Sequence, residues 1–252
     1  MTTDTPLALY VLRRADDALI LGHRLSEWCG HGPMLEEDMA LANIGLDLIG
    51  QARSLYQYAA AIRADGSDED SLAYWRNAPD YGNLLLAELP NGDFARTIIR
   101  VFLYAAFADP FWQATMRSSD SQLAAIAAKS EKESAYHLRH SAEWVIRLGD
   151  GTEESHARAQ AALDYLGPYT GEMFEADPSD RELIEAGVAT EPESLRGAWT
   201  KIVSDVLAEA TLAQPAAGPM QSGGRSGRHS EHLGPLLAEM QVLQRTHPGA
   251  TW

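Results

Sequence analysis

Three polar residues on one helix face raise the chemical question. Within LEEDMALANIGLDLIGQARSLYQYAAAI at 35–62, Asn43, Asp47 and Gln51 stand four apart and share a helix face. Apolar stripes flank them: Leu41, Leu48, Leu55 and Ile62 on one side, Leu35, Met39, Ala42, Leu46 and Ile49 on the other. Gly45, Ala52 and Ala59 form a narrow stripe where another helix can approach closely. A polar row set this way points into a helical bundle, where buried polar groups need partners. Such a bundle can hold a di-iron centre, with one Glu from each of two helices and a Glu-x-x-His pair from each of two others.

The histidines test that recipe. Of the eight, only His156 has a carboxylate three residues earlier, Glu153. That pair follows a Gly-rich loop in a first helical turn, where acids are expected for capping reasons. The long second helix offers Asp47, but Gly50 comes three residues later; the fourth helix offers Glu133 and His137 at i and i+4, and the first offers His23 and Glu27. No catalytic residue and no metal ligand is expected. Glu27, Asn43, Asp47, Gln51, Glu133 and His137 are expected to form a structural polar core. It is either a di-metal site that has lost its ligands or a core with no metal ancestry, and spacing fits both.

A second candidate lies near the C-terminus. Ser222 to Arg228 reads SGGRSGR and is followed by His229, Ser230, Glu231 and His232. Glycines, basic side chains and a helix start resemble a phosphate cradle. The spacing is neither that of a Walker loop nor that of a dinucleotide fingerprint. Arg225, Arg228, His229, Glu231 and His232 are candidate partner or phosphate contacts, against the plainer reading of a loop with Ser230 as helix cap. There is no Gly-x-Ser-x-Gly elbow, and Cys29 reads as a small buried thiol.

These groups need helices to position them. Apolar periodicity gives a first helix at 7–28, ended by Gly30-His31-Gly32-Pro33, and the long one at 35–62, roughly 40 Å in length. Irregular or short-helical chain follows to Leu89, with a turn at Pro90-Asn91-Gly92. A third helix spans 94–117, with Pro110 as a potential kink, and a fourth 122–148. Thr152 caps a fifth that reaches about Ala176 with a break near Gly167-Pro168. Helices at 194–212 and 231–245 complete the chain, with a surface excursion at 177–192, a loop at 213–230 and a tail at 248–252. The class is all-α: a bundle of four long helices with further helices packed on it, in one domain over 1–252.

Composition narrows the partners. With 36 acidic and 20 basic residues the formal charge is −16, which argues against nucleic acid. Arg13, Arg14, Asp16 and Asp17 interrupt the only apolar stretch near the N-terminus, so it is not a signal peptide. No run approaches the ~20 apolar residues of a membrane span. A cytoplasmic protein is expected.

Four stretches carry a resemblance: LSEWCGHGPMLEEDMALANIGLDLIGQAR at 25–53, NLLLAELPNGDFARTI at 83–98, KESAYHLRHSAEW at 132–144 and GRSGRHSEHLGPLLAEMQVLQRTHPGATW at 224–252. The chain resembles the PaaC family, the structural subunits of bacterial 1,2-phenylacetyl-CoA epoxidase. The resemblance implies a ferritin-like fold and no cofactor in this chain. It implies pairing with the homologous catalytic subunit PaaA, which holds the di-iron centre and the substrate. It also implies a small subunit, PaaB, and a reductase with FAD and an iron–sulfur centre, PaaE. The complex would use O₂ and NADPH to epoxidise the aromatic ring of phenylacetyl-CoA during aerobic phenylacetate breakdown. Here the third-helix interior is apolar apart from Arg96, Thr97 and Arg100.

Overall fold

A computed structural model describes residues 4–215 and 218–250. Residues 1–3, Ala216 and Ala217 of the expected loop, and Thr251 and Trp252 of the expected tail lie outside the described residues. The helices are α1 (Pro6–Ser26), α2 (Leu35–Arg63), α3 (Glu69–Tyr74), α4 (Leu85–Glu88), α5 (Phe94–Thr115), α6 (Ser121–Gly149), α7 (Glu153–Leu166), α8 (Arg181–Glu185), α9 (Arg196–Glu209) and α10 (Leu233–Thr246). The described residues contain no strand. The fold is all-α and fits the ferritin-like class, with α1, α2, α5 and α6 as its long helices.

The chain divides into two compact units. One combines Met1–Pro90 with Gly223–Trp252, and the other is Asn91–Ser222. In the first, α1 and α2 form a hairpin. Thr5 caps α1 by accepting from the Ala8 amide at 3.2 Å. Asp38 accepts from the Gly32 amide at 2.9 Å and so fixes the corner between the helices. Leu41, Leu48 and Leu55 are buried, as are Gly45, Ala52 and Ala59. The small stripe does what its residue types allow. A Cβ on Gly45 would stand 3.3 Å from the Gly22 carbonyl, and one on Gly22 would stand 3.2 Å from the Gly45 carbonyl. The two helices therefore cross with their backbones close, and few side chains fit at that point.

The second apolar stripe behaves differently. Leu35, Met39 and Leu46 are exposed, and so is Asn43 between them. An apolar pattern shows which residues share a face, but not whether the chain itself supplies a neighbour to cover them.

In the second unit, Asp93 caps α5 and Asp120 caps α6, each accepting from the amide three residues on. Thr152 and Ser155 cap α7 reciprocally. Pro110 sits inside α5, and the helix continues past it to Thr115. The predicted fifth helix ends at Leu166, and tight turns at 167–169 and 171–174 take its place. Phe107, Phe111 and Phe174 are buried together, with ring centroids 5.6 Å apart for Phe107 with each of the other two. The Trp199 ring on α9 meets Phe174 edge-on at 5.5 Å, and its Nε1–H donates to the Leu103 carbonyl on α5 at 3.0 Å.

Candidate functional site

The polar centre of the first unit is not the α2 row. It lies on α1, where Arg13, Arg14, Asp16 and Asp17 are all buried. Four charges in five residues spread around a helix of 100° per residue, so some must face inward. Arg14 lies 3.6 Å from Asp17 on its own helix, and the two carboxylates are tolerated because further partners arrive from distant chain.

Asp16 accepts from the Tyr56 hydroxyl at 2.6 Å and from the Gly82 amide at 2.8 Å, and it pairs with the Arg76 guanidinium. Arg76 also lies over the Tyr81 ring, 4.2 Å from its centroid. Burial, reinforced by the Asp16 charge, pushes the Tyr56 phenol well above its usual range. Tyr56 therefore stays protonated and donates.

Asp17 takes both ends of a guanidinium, from Arg225 Nη1 at 2.9 Å and Nη2 at 2.8 Å. It also accepts from the Leu84 amide at 2.8 Å. Arg225 donates further to the Gly82 and Arg13 carbonyls, at 2.9 and 3.3 Å.

Glu88, at 0% exposure, is the third carboxylate. His229 Nδ1 lies 2.8 Å from Glu88 Oε2, and its Nε2 lies 2.9 Å from the Tyr81 carbonyl. Both neighbours are acceptors, so both ring nitrogens are placed to donate, and the ring is suited to the imidazolium form. Burial alone would lower its pKa, but the hydrogen bond and charge of Glu88 outweigh burial and hold it above the ordinary value. The Ser230 amide donates to Glu88 Oε1 at 2.6 Å, and Asn83 Nδ2 to Oε2 at 2.9 Å. Arg24 reaches from α1 to the Glu88 carbonyl at 2.7 Å and the His232 carbonyl at 3.3 Å.

This arrangement is a lock. It ties the segment at 223–232, and α10 behind it, to α1 and α4. The backbone fits as closely as the charges: a Cβ on Gly224 would strike the Asn83 carbonyl, and one on Gly227, at φ 74°, would strike the Pro79 carbonyl.

The loop's candidate residues are thus divided. Arg225 and His229 face inward and are engaged, so they are not free to cradle a phosphate. Arg228 and Glu231 are exposed, and His232 is half-buried, with Nε2 3.9 Å from Glu231. The expected polar core is divided as well. Gln51 is buried, Asp47 half-buried and Asn43 exposed, so the row turns from solvent to interior along α2. Glu27 is exposed and pairs with Arg24 at 2.8 Å. In the second unit His137 is buried on α6, whereas Glu133 is half-buried and pairs with Lys129 at 3.6 Å. His156, of the one Glu-x-x-His pair, sits 2.8 Å from the Gly149 carbonyl through Nδ1 and so closes the end of α6. Cys29, expected inside, is exposed at the corner before α2. The tight turns there hold it outside the hairpin.

Sequence reading missed Asp16, Asp17 and Glu88 as the centre. The signal was present: RRADD interrupts an otherwise apolar helix. Among the described residues no helix is long and apolar enough to cross a membrane, and no three His, Cys, Asp or Glu side chains are gathered as for a metal ion.

The family model described as "Phenylacetic acid catabolic protein" (PaaA_PaaC) matches residues 1–252. The chain belongs to this family. A curated relative from Escherichia coli (strain K12), named as a subunit of 1,2-phenylacetyl-CoA epoxidase, is 50% identical over 246 residues, which cover 98% of this chain and 99% of the relative. The PaaA_PaaC match and this relative span both units, so the charge lock and the aromatic cluster both lie within the shared region.

Proposed function

We propose that this chain is the structural, non-catalytic subunit of a cytoplasmic multicomponent phenylacetyl-CoA epoxidase. It pairs with the homologous di-iron subunit PaaA and supports its helices, alongside PaaB and the FAD and iron–sulfur reductase PaaE. The observation that carries this reading is the end-to-end likeness, at 50% identity, to a protein named as a subunit of that epoxidase.

The engagement of its own polar side chains supports a role through contact rather than chemistry. Asp16, Asp17 and Glu88 are each held by cations and amide donors. His156 is turned to a backbone carbonyl, and Glu27 and Glu133 pair with cations three and four residues before them.

Iron counting tests the proposal. This chain is co-purified with PaaA, the two are separated, and iron is measured on each. The expected result is about two irons on PaaA and none on this chain. About two irons per copy of this chain, or failure to co-purify, overturns it.

A further inference from the structure

The first unit covers only one side of α2. Leu41, Ile44, Leu48 and Leu55 are at 0–1% exposure. On the other side Leu35, Met39 and Leu46 are 72, 57 and 66% exposed. With Asn43 these positions line up at helical spacing over about 16 Å. Met34, just before the helix, extends the strip at 48% exposure. A lone exposed leucine is ordinary, but a row of large apolar side chains on one well-formed helix marks a contact surface.

The flanking charge selects the occupant. From Leu35 to Ala52, α2 carries Glu36, Asp38 and Asp47 outside its buried face, and no Lys or Arg. A second copy laid across the strip would set these acids against their own equivalents, in a chain whose formal charge is −16. The complementary surface is an apolar helix face bordered by lysine or arginine.

We infer that the strip Leu35–Met39–Leu46 docks such a basic-bordered helix of the catalytic subunit. The inference rests on the pairing reached above, and it adds the surface and the chemistry of the helix that meets it.

The test mixes the full-length chain with purified PaaA and measures the Kd by titration, for the wild type and for Met39→Lys/Leu46→Lys. Lysine keeps helix propensity and sets cations against a basic border. The double variant should bind at least about tenfold more weakly, with an unchanged melting temperature. Leu35→Lys, at a still more exposed site, should weaken binding in the same direction and serves if the double variant folds poorly. Val242→Lys on α10, also an exposed apolar position, should change nothing. Wild-type affinity in both strip variants overturns the docking site while leaving the pairing intact. A wild-type chain that does not bind PaaA removes the pairing and the site together. Strip variants that abolish self-association of this chain and leave PaaA binding untouched show that a second copy is the occupant, and they overturn the inference.

Discussion

α1 and α5 start from similar material. Each is an apolar helix packed on a longer neighbour, yet α1 buries Arg13, Arg14, Asp16 and Asp17, whereas α5 buries a single charge, Arg100, which reaches Asn91. The partners explain the difference. α1 meets Arg76 and Arg225, which lie 60 and 208 residues away in the chain. α5 meets rings: Phe174 on a turn and Trp199 on α9. The first unit is therefore joined through directional charge pairs. These hold only when both members are present. The second is joined largely through apolar burial, which tolerates approximate fit and depends little on pH.

The largest effect should come from breaking the charge side. Asp17→Ala removes the carboxylate that receives Arg225 and the Leu84 amide, and it leaves a buried guanidinium without its main partner. The expected loss is about 3–5 kcal/mol in urea unfolding. A loss below about 1 kcal/mol would show that the pair is solvated and that the two units are held alike.

A smaller effect carries a pH signature. Glu88 raises the pKa of His229 above the ordinary value despite burial. A raised pKa means that the folded state binds the proton more tightly than the unfolded state. The stabilisation is complete below the unfolded value of 6.5 and is lost as pH rises through the higher folded value. His229→Gln should cost about 1.5–3 kcal/mol at acidic pH and less in alkali, flattening that part of the profile. Thermal melts of the two proteins across pH check this, and parallel curves would remove the charged pair from the account.

The sequence made the frame of the fold readable and hid the lock. The heptad Leu41–Leu48–Leu55, the small residue Gly45 and the cap Thr152 act locally, within a turn or two, so pattern alone locates them. The α1 charges cannot be assigned from α1, because Arg225 is brought back by a return of the chain that no local period encodes. The same limit misplaced Cys29 and left open where the Leu35–Met39–Leu46 stripe would face: periodicity groups residues by face, and burial depends on what later packs there. For the loop at 222–232, residue types suited to a phosphate proved suited to Asp17 and Glu88. A guanidinium and an imidazolium recognise any oxyanion, internal or external.

The smallest effect tests the aromatic side. Trp199→Phe keeps a ring against Phe174 but deletes the Nε1–H that donates to the Leu103 carbonyl. That carbonyl lies on α5, so the substitution removes one neutral hydrogen bond and some ring area. The expected cost is about 1 kcal/mol. The rest of the contact is burial and ring geometry, which carry no proton, so the cost should be the same at acidic and alkaline pH and at low and high salt. Measured beside His229→Gln, it separates the two modes of cohesion. A cost for Trp199→Phe that followed pH as the His229 variant does would mean that the second unit also rests on a titrating pair, and the contrast between α1 and α5 would fail.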